Sequence, residues 1–414
     1  MTELKEKIKD FVGHFYFKWI FRKLKPAYKE PQDGGFLLLP PSDLDGSFGD
    51  ELMVGSFVYN FAGKSAVTIF TDHLILRNDF LGQWPQVKYK SGFHVRNYGR
   101  WVKILGKVSA VFIVGADALD GSYTSRHSMR FLRLAQMAHK MGKPIYFSGF
   151  SVSRNLTDVA KNALAGAARF SLLKARDTDS YRRLATFVPK ERLLQVSDMA
   201  FLCPYDDKVE ETVGFQAFKK WAETQILENR KIAAFCPNSI QAERLGWEKY
   251  LAGQQMLLDS FSSDTDVSVL YLYHDVRALY DDKSDRDISK ALFDAHTQKD
   301  SAYVYFPGNI ENGIALKSYL TYASFTVTGR MHFGISGMEA GKPMFGICYA
   351  DKFEGMLRLF DIDPGHSLID YTEMEKGVQV VSVFLDDLDS QCHKIKENME
   401  KVKQLSLLNG EDIT

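Results

Sequence analysis

The sequence predicts an α/β protein made of two Rossmann-like domains, each with a parallel sheet covered by helices. Short apolar runs, each followed by a loop and a stretch with helical spacing, occur in the first half and recur after about residue 230. Continuous apolar runs are typical of strands buried on both faces of a sheet. Eight runs are predicted strands, at residues 36–40, 66–71, 109–115, 144–149, 231–237, 267–273, 301–307 and 324–329.

The chain divides along this pattern into five predicted segments. A basic, aromatic segment comes first, then an α/β domain, a junction that is acidic at its start, a second α/β domain and a helical tail. Their bounds are 1–32, 33–205, 206–230, 231–375 and 376–414. We expect loops from both domains to face one another across a cleft, because parallel sheets bind ligands at the carboxyl ends of their strands.

Composition narrows the classes of function. The chain has 414 residues, of which 45% are hydrophobic and 25% charged, as expected for a globular protein long enough for two domains. The formal net charge is zero, which argues against nucleic acid as a partner. The four cysteines lack CxxC spacing and are expected to be free thiols in a reducing cytoplasm, and no spacing predicts a metal site.

The N-terminal segment has an unusual composition. Between Lys5 and Lys25 many basic side chains alternate with aromatic ones, and the run is too short and too charged to span a bilayer. Two interpretations stay open: a helix lying on anionic lipid at the inner face of the cell membrane, or a helix packed on its own domain or a second subunit. The apolar positions recur at helical spacing, at Ile8, Phe11, Val12, Phe15 and Trp19.

The last predicted strand ends in a turn that favours anion binding. Residues 325–328 read as a buried strand, Gly329 permits a sharp turn, and residues 333–340 have helical spacing. Arg330 and His332 therefore lie at a helix start, where backbone N–H groups attract phosphate or carboxylate and an arginine adds a bidentate fork.

Local roles compete with an anion site at this position. In the alternative interpretation, Arg330 pairs with Glu339 or Glu354, and His332 only caps the helix. A second strand end, in the segment LYHDVR, places His274 near the same edge of the second domain. It is a candidate for donor or acceptor binding, although helix capping by Asp275 explains the segment more simply.

The segment GRMHFGISGMEAGKPMFGICYADKFEGM resembles the C-terminal signature of the polysaccharide pyruvyl transferase family. That signature has Arg-Leu-His, a helix rich in alanine, Gly-x-Pro and Tyr-x-x-Lys. The only departure is the change of the central leucine to methionine, which keeps the volume. The matching positions are Arg330, Met331, His332, Gly341, Pro343, Tyr349 and Lys352.

Other segments agree with the same resemblance in order along the chain. PSDLDGSFGDELM is similar to the family's N-terminal glycine loop, with Ser47 where asparagine is usual. KPIYFSGFSVS, LLKARDTDSYRRL and VSDMAFL resemble its later motifs. VFIVGADALDG departs, because Ala116 and Asp117 replace two glycines after Gly115 and their Cβ atoms prevent the closest backbone approach to a ligand. The other matches are Gly49, Asp50, Glu51, Gly149, Arg176, Asp177, Ser180 and Asp198.

The resemblance implies a glycosyltransferase-B type architecture and a reaction. The family transfers a carboxyethylidene ketal from phosphoenolpyruvate, a co-substrate, to two hydroxyls of a sugar during exopolysaccharide or capsule biosynthesis, and no cofactor is required. We expect the first domain to bind the acceptor and the second to bind the donor. A lipid-linked oligosaccharide acceptor would fit the basic, aromatic N-terminal segment. Ser47, Gly49, Asp117 and Gly149 are then loop or acceptor-side positions.

The resemblance also suggests roles for individual side chains. Arg330 and Arg176 would bind the charged groups of the donor, helped by the helix start after Gly329, with Lys352 and His274 as further candidates. His332 would act as a phosphate ligand or as the proton donor. Asp50 or Glu51 would deprotonate or orient an acceptor hydroxyl, unless Asp50 only satisfies backbone amides at a helix N-terminus.

Two other functions remain open on the sequence. A glycosyltransferase that uses a nucleotide sugar would have a similar pair of domains, because fold does not determine reaction. The altered glycine loop would also suit a non-catalytic, glycan-binding member of the family, although the retained Arg330 and His332 argue against that alternative.

Overall fold

The chain forms two compact units, each assembled from separate stretches of sequence. The computed structural model describes residues 14–25, 34–42, 46–71, 84–91, 98–122, 124–262, 266–278, 283–297, 302–348 and 351–413. The first unit comprises Met1–Leu44, Phe57–Met199 and Leu405–Thr414, and the second comprises Asp45–Ser56 and Ala200–Gln404.

The first unit is built on a five-stranded parallel sheet. Its strands are β1 (Phe36–Leu39), β2 (Val67–Thr71), β3 (Val87–Ser91), β4 (Ala110–Ile113) and β5 (Ile145–Phe147), in the order β3-β2-β1-β4-β5. A separate parallel pair is formed by β6 (Leu173–Ala175) and β7 (Leu193–Gln195). The helices are α1 (residues 14–23), α2 (Phe48–Asn60, whose first turns belong to the second unit), α3 (Tyr98–Leu105), α4 (Ser125–Lys140), α5 (Asp158–Ala167) and α6 (Thr178–Leu184).

The second unit repeats this plan with a six-stranded parallel sheet. Its strands are β8 (Lys231–Cys236), β9 (Val267–Tyr271), β10 (Val304–Tyr305), β11 (Phe325–Thr328), β12 (Met344–Cys348) and β13 (Leu368–Asp370), in the order β10-β9-β8-β11-β12-β13. The helices are α7 (Val213–Leu227), α8 (Ser239–Leu245), α9 (Trp247–Ser262), α10 (Asp285–Thr297), α11 (Gly313–Leu320), α12 (Met331–Glu339), α13 (Lys352–Arg358), α14 (Met374–Asp386) and α15 (Leu388–Leu407).

Short 3-10 turns complete the chain at Lys190–Arg192, Met199–Leu202, Asp207–Glu211, Pro364–His366 and Leu408–Gly410. The prediction of an α/β fold with two parallel sheets is confirmed, and each of the eight predicted apolar runs contains a strand. Five strands were not predicted: the edge strand β3, whose VKYKS pattern alternates, the five-residue strand β12, and the three-residue strands β6, β7 and β13.

The bounds of the two units differ from the predicted domains in three places. Residues 45–56 belong to the second unit, although they lie within the predicted first domain. Residues 405–414 return to the first unit, where Asn409 donates to the backbone oxygen of Ser197 at 3.0 Å. The predicted junction contains α7, which buries Phe215 and Phe218 beside Tyr319 of the same unit. In all three places, contacts between distant parts of the sequence decide which unit the segment joins.

The helix α1 packs on its own unit through one face. Phe17, Ile20 and Leu24 are buried in the core of the first unit, together with Tyr98 and Trp101 of α3. This packing supports the own-domain interpretation for that face. Among the described residues, no helix is long and apolar enough to cross a membrane.

Candidate functional site

The glycine loop lies against the chain that follows β9. Phe48 donates its backbone N–H to the carbonyl oxygen of His274 at 3.0 Å, and Val276 donates to that of Gly46 at 2.9 Å. An antiparallel bridge between Ser47 and Asp275 lies between these bonds. The loop therefore places its side chains beside the carboxyl end of a central strand, where parallel sheets bind ligands.

A buried glutamate holds this loop in place. Glu51 accepts from the backbone N–H of Gly46 at 3.2 Å with Oε1, and from that of Gly313 at 2.8 Å with Oε2. Gly313 is the first residue of α11, so the carboxylate lies where a helix N-terminus favours negative charge. This geometry gives Glu51 a structural role. Its catalytic role stays a prediction, and Asp50 is the better candidate for an acceptor-side base.

Arg330 forms a bidentate ion pair with a carboxylate that the sequence analysis did not select. Its Nε donates to Asp285 Oδ2 at 2.8 Å and its Nη2 to Oδ1 at 2.7 Å. Asp285 also accepts from the backbone N–H groups of Ser239 at 2.8 Å and Asp275 at 3.1 Å. Burial raises the pKa of the Asp285 carboxyl, while the Arg330 guanidinium opposes that rise. The ion pair fixes the plane of the guanidinium at the start of α12.

The carboxylates expected as local partners of Arg330 have other contacts. Glu339 pairs with Lys317 at 2.8 Å, and Glu354 pairs with Arg358 at 3.4 Å. Arg330 itself serves as the N-cap residue of α12 without a side-chain cap bond, so the helix begins directly after it, as predicted.

A second arginine–aspartate pair lies beside the first. Arg277 donates to Asp275 from Nε at 2.9 Å and from Nη2 at 2.7 Å. Burial alone would raise the pKa of Asp275, but the Arg277 guanidinium outweighs it, and the pKa is lowered. Asp275 Oδ2 also lies 3.8 Å from Arg330 Nη2. The pKa of Arg277 is raised because the charge of Asp275 outweighs the effect of burial, and the charge of Asp50 adds to this rise. Two cations and three carboxylates therefore share one region.

Two histidines lie next to these ion pairs with parallel rings. The ring centroids of His274 and His332 are 6.2 Å apart, and the interplanar angle is 7°. His274 is buried, and its Nε2 has no hydrogen-bond partner among the described residues. Burial lowers its pKa well below the ordinary value, and the charges of His332 and Arg330 add to this effect. Burial therefore favours the neutral form of the His274 imidazole.

Gly49 is required by the position of the His332 ring. A Cβ atom at Gly49 would lie 2.5 Å from His332 Nδ1 and 2.8 Å from His332 Cβ. Non-bonded contacts under 3.0 Å are essentially never made by a Cβ atom, so only glycine lets the loop approach the imidazole this closely. The close approach of the His332 ring thus explains why glycine occupies the first position of the Gly-Asp-Glu motif.

The second unit therefore brings together most of the predicted site. Arg330 and His332 follow β11, and His274 follows β9; these two strands lie on either side of β8 in the sheet. The glycine loop adds its own residues to this group. Asp285 was missed because an acidic residue at a helix start usually reads as a local cap. The grouped predicted residues are Ser47, Gly49, Asp50, Glu51, His274, Arg330 and His332.

Two other predicted donor-side residues also lie in the second unit. Gly329 packs against α8, where an added Cβ would meet Gln241 Oε1 at 2.6 Å. Lys352 begins α13, and its charge opposes the burial that raises the pKa of the Cys348 thiol. Tyr349, the matching tyrosine, lies outside the described residues.

Arg176 belongs to the first unit and has its own buried network. Its Nε donates to Ser151 Oγ at 2.7 Å and its Nη1 to Asp198 at 2.8 Å. Its Nη2 is buried and has no hydrogen-bond partner in the described part of the chain. Gly149 lies against it, since an added Cβ would be 2.8 Å from Arg176 Cβ. Donor binding by Arg176 together with Arg330 stays a prediction.

The altered glycine loop has a backbone conformation that favours glycine at one of its two replaced positions. Ala116 has a φ of 45°, in the left-handed region that favours glycine, and a Cβ at Gly115 would lie 2.5 Å from Phe150 Cβ. Asp117 is half-buried, and its charge opposes the burial that lowers the pKa of His127 to about 4. One of the two replaced glycines, at position 116, thus lies where the backbone conformation favours glycine.

No cluster of three or more His, Cys, Asp or Glu side chains in the described part of the chain could hold a metal ion. The four cysteines are free, as the sequence predicts.

Comparison with known families identifies the chain. Residues 10–351 match the polysaccharide pyruvyl transferase family. The chain belongs to this family. The resemblance carried by the glycine loop and the Arg330 segment is thereby confirmed, and family membership supports a transferase of polysaccharide biosynthesis. A comparison with curated proteins finds no match.

Solved structures show the same fold at low sequence identity. UDP-GlcNAc 2-epimerase from Neisseria meningitidis aligns with a TM-score of 0.57 and 10% identity, covering 91% of this chain and 98% of that one. A glycosyltransferase from Rickettsia africae aligns with a TM-score of 0.54 and 11% identity, covering 92% and 98%. A trehalose-phosphate synthase from Burkholderia vietnamiensis gives 0.51 and 10%, covering 92% and 95%. These likenesses confirm the glycosyltransferase-B type fold of this pyruvyl transferase family member.

Proposed function

We propose that this protein transfers a carboxyethylidene group from phosphoenolpyruvate to two hydroxyls of a sugar, forming a cyclic ketal and releasing phosphate. The observation that carries the proposal is the group of Arg277, Arg330, His274 and His332 beside the glycine loop of a pyruvyl transferase family member. Phosphoenolpyruvate carries a phosphate and a carboxylate, and such a donor needs separate cationic groups near a proton donor.

The donor would be bound at the start of α12. Arg330 supplies a guanidinium whose plane Asp285 fixes, and Arg277 supplies a second one that Asp275 fixes. The N-terminal end of a nine-residue helix adds backbone N–H groups and a positive dipole end. Cations oriented before binding stabilise developing negative charge without having to rearrange during the reaction.

The reaction then needs one acid and one base. His332 protonates the methylene carbon of the donor, which generates an oxocarbenium-like centre at the adjacent carbon. A sugar hydroxyl attacks that centre as its proton passes to Asp50. The carbon–oxygen bond to phosphate then breaks, the second hydroxyl closes the ketal, and the proton of that hydroxyl leaves with phosphate. The proton on Asp50 then returns through solvent to His332, which restores both side chains. Of the two hydroxyl protons, one thus replaces the proton that His332 gave to the new methyl group, and the other departs with phosphate.

The transfer reaction can be tested with purified protein, phosphoenolpyruvate and a panel of oligosaccharide acceptors. We expect phosphate release that depends on acceptor, together with a mass gain on the glycan that matches a pyruvate ketal. Nucleotide release from a nucleotide sugar, with no product from phosphoenolpyruvate, would overturn the proposal in favour of a glycosyltransferase. Glycan binding without turnover of either donor would overturn it in favour of a binding protein.

The acid assignment needs a separate variant. His332→Gln should lower turnover by about 10²- to 10⁴-fold with little change in phosphoenolpyruvate binding, because removing a proton donor affects chemistry more than donor affinity. His393→Gln, on the exposed face of α15, is the matched control and should retain full activity. A large loss of phosphoenolpyruvate affinity with turnover retained at saturating donor would instead make His332 a phosphate ligand.

A further inference from the structure

The outer face of α1 exposes aromatic side chains that the core of the first unit does not use. Phe15 is 58% and Trp19 54% exposed, whereas Phe17 and Ile20 on the opposite face are buried. The Trp19 ring stacks on Tyr16 with centroids 6.1 Å apart. Burial of one face fixes the orientation of the helix, so the exposed rings are held outward by the fold.

Basic side chains surround these rings. Lys18, Arg22, Lys23 and Lys25 are all exposed, and Lys23 Nζ lies 3.8 Å from the centroid of the Trp19 ring. Residues 14–25 contain no aspartate or glutamate. This combination of outward aromatics and flanking cations is typical of a helix that lies in a lipid interface.

The helices next to α1 have the same charge bias. Tyr16 of α1 lies 5.8 Å from Tyr98 of α3 between ring centroids, and Lys140 of α4 donates to the carbonyl oxygen of Phe21 at 2.6 Å. Ten lysines and arginines, and no acidic residue, lie in three stretches: residues 14–25, α3 and α4. The whole chain, by contrast, has a net charge of zero. The ten basic residues are Lys18, Arg22, Lys23, Lys25, Arg100, Lys103, Arg126, Arg130, Arg133 and Lys140.

We infer that the outer face of α1 docks the first unit on an anionic lipid surface, with Phe15 and Trp19 inserted and Lys18, Arg22 and Lys23 beside lipid phosphates. A second copy of the chain is a poorer occupant, because pairing this face with itself would bring like charges together. Lipid headgroups neutralise the cations, and the acyl boundary accepts the rings. The inference does not depend on the pyruvyl transfer reaction.

The first test is sedimentation of the full chain with vesicles of phosphatidylcholine, with and without phosphatidylglycerol. We expect binding only to the vesicles that contain phosphatidylglycerol, and weaker binding at high salt, because salt screens the contribution of exposed charges. Equal partition to both kinds of vesicle, or no binding to either, would overturn the inference.

Variants locate the binding face. Phe15→Ser combined with Trp19→Ser should reduce partition at least tenfold, and brominated lipids should quench wild-type fluorescence more than that of Trp19→Phe. The matched control is Val213→Ser with Leu227→Ser, which removes side chains that are 88% and 83% exposed on the second unit without basic neighbours immediately beside them in sequence. It should leave partition unchanged.

Charge variants test the electrostatic contribution to vesicle binding. Changing Lys18, Arg22 and Lys23 to glutamine should weaken partition by about fivefold for each side chain removed. The control replaces Lys249, Lys396 and Lys401, which are exposed on the second unit, and should have no effect. Retained vesicle binding in both α1 variants, or a changed molar mass in solution with unchanged vesicle binding, would refute the lipid surface and favour a protein contact.

Discussion

Replacement of Gly49 by alanine tests the geometry of the candidate site most directly. Alanine normally stabilises a helix relative to glycine by about 0.5–1 kcal/mol, and Gly49 is the second residue of α2 with no positive φ. Here the new Cβ would lie 2.5 Å from His332 Nδ1. Overpacking of this kind costs about 1–3 kcal/mol, so the net effect should be a loss of about 0–2.5 kcal/mol of stability.

The functional effect of Gly49→Ala should be larger than its effect on stability. The contact can be relieved only if the His332 ring or the loop moves, since the added atom also lies 2.8 Å from His332 Cβ. A displacement of about 1 Å at a reacting group lowers turnover by about 10²-fold. Steady-state phosphate release and chemical denaturation of the same preparations measure the two quantities.

Gly99→Ala is the matched control for this prediction. Gly99 is the second residue of α3, and a Cβ there would meet no atom within 4 Å. It should raise the free energy of unfolding by about 0.5–1 kcal/mol and leave turnover unchanged. If Gly49→Ala behaves in the same way, the His332 ring does not lie against the loop, and the site geometry described above is wrong.

Three further predictions concern buried charge, backbone conformation and pH. Asp285→Asn breaks the bidentate pair with Arg330 and should lower the free energy of unfolding by about 3 kcal/mol and weaken phosphoenolpyruvate binding, whereas Asp294→Asn, at an exposed pair, should cost less than about 1 kcal/mol. Wild-type affinity for phosphoenolpyruvate in Asp285→Asn would contradict the positioning of Arg330. Ala116→Gly should stabilise the protein by about 1 kcal/mol in thermal unfolding, since the φ of 45° favours glycine; a lower melting temperature would argue against strain. Burial lowers the pKa of His127 to about 4 from 6.5, so the unfolded chain takes up the proton first as pH falls. Stability should therefore decrease by about 3 kcal/mol between pH 6.5 and 4, and His127→Gln should reduce that decrease.

The sequence predicts most of the strands in the two sheets. All eight predicted runs, including 231–237 and 324–329, form strands because they are continuous, apolar and bounded by turn residues. The edge strand β3 was missed because Lys88 and Lys90 give it an alternating pattern with little apolar signal. Short edge strands owe their conformation to a neighbouring strand, which a local pattern does not contain.

The sequence likewise predicts the features of the candidate site that depend on neighbouring residues, and not those that depend on distant ones. The start of α12 at Arg330 follows from Gly329 and the apolar period of the helix, and it was predicted together with His332. The partner of Arg330 was not, because Asp285 lies 45 residues away and its local context is that of a helix start. The steric need for glycine at position 49 likewise depends on a ring almost three hundred residues later in the chain.

By itself, the sequence determined the class of fold, the family and the residue types that the chemistry uses, because hydrophobic period and motif spacing are properties of neighbouring residues. The tertiary structure alone decided that residues 45–56 join the second unit, that Asp285 orients Arg330, and that α1 turns Phe15 and Trp19 outward. These features arise from contacts between segments far apart in the chain. Such contacts are set by the packing of the whole unit, which no local pattern specifies.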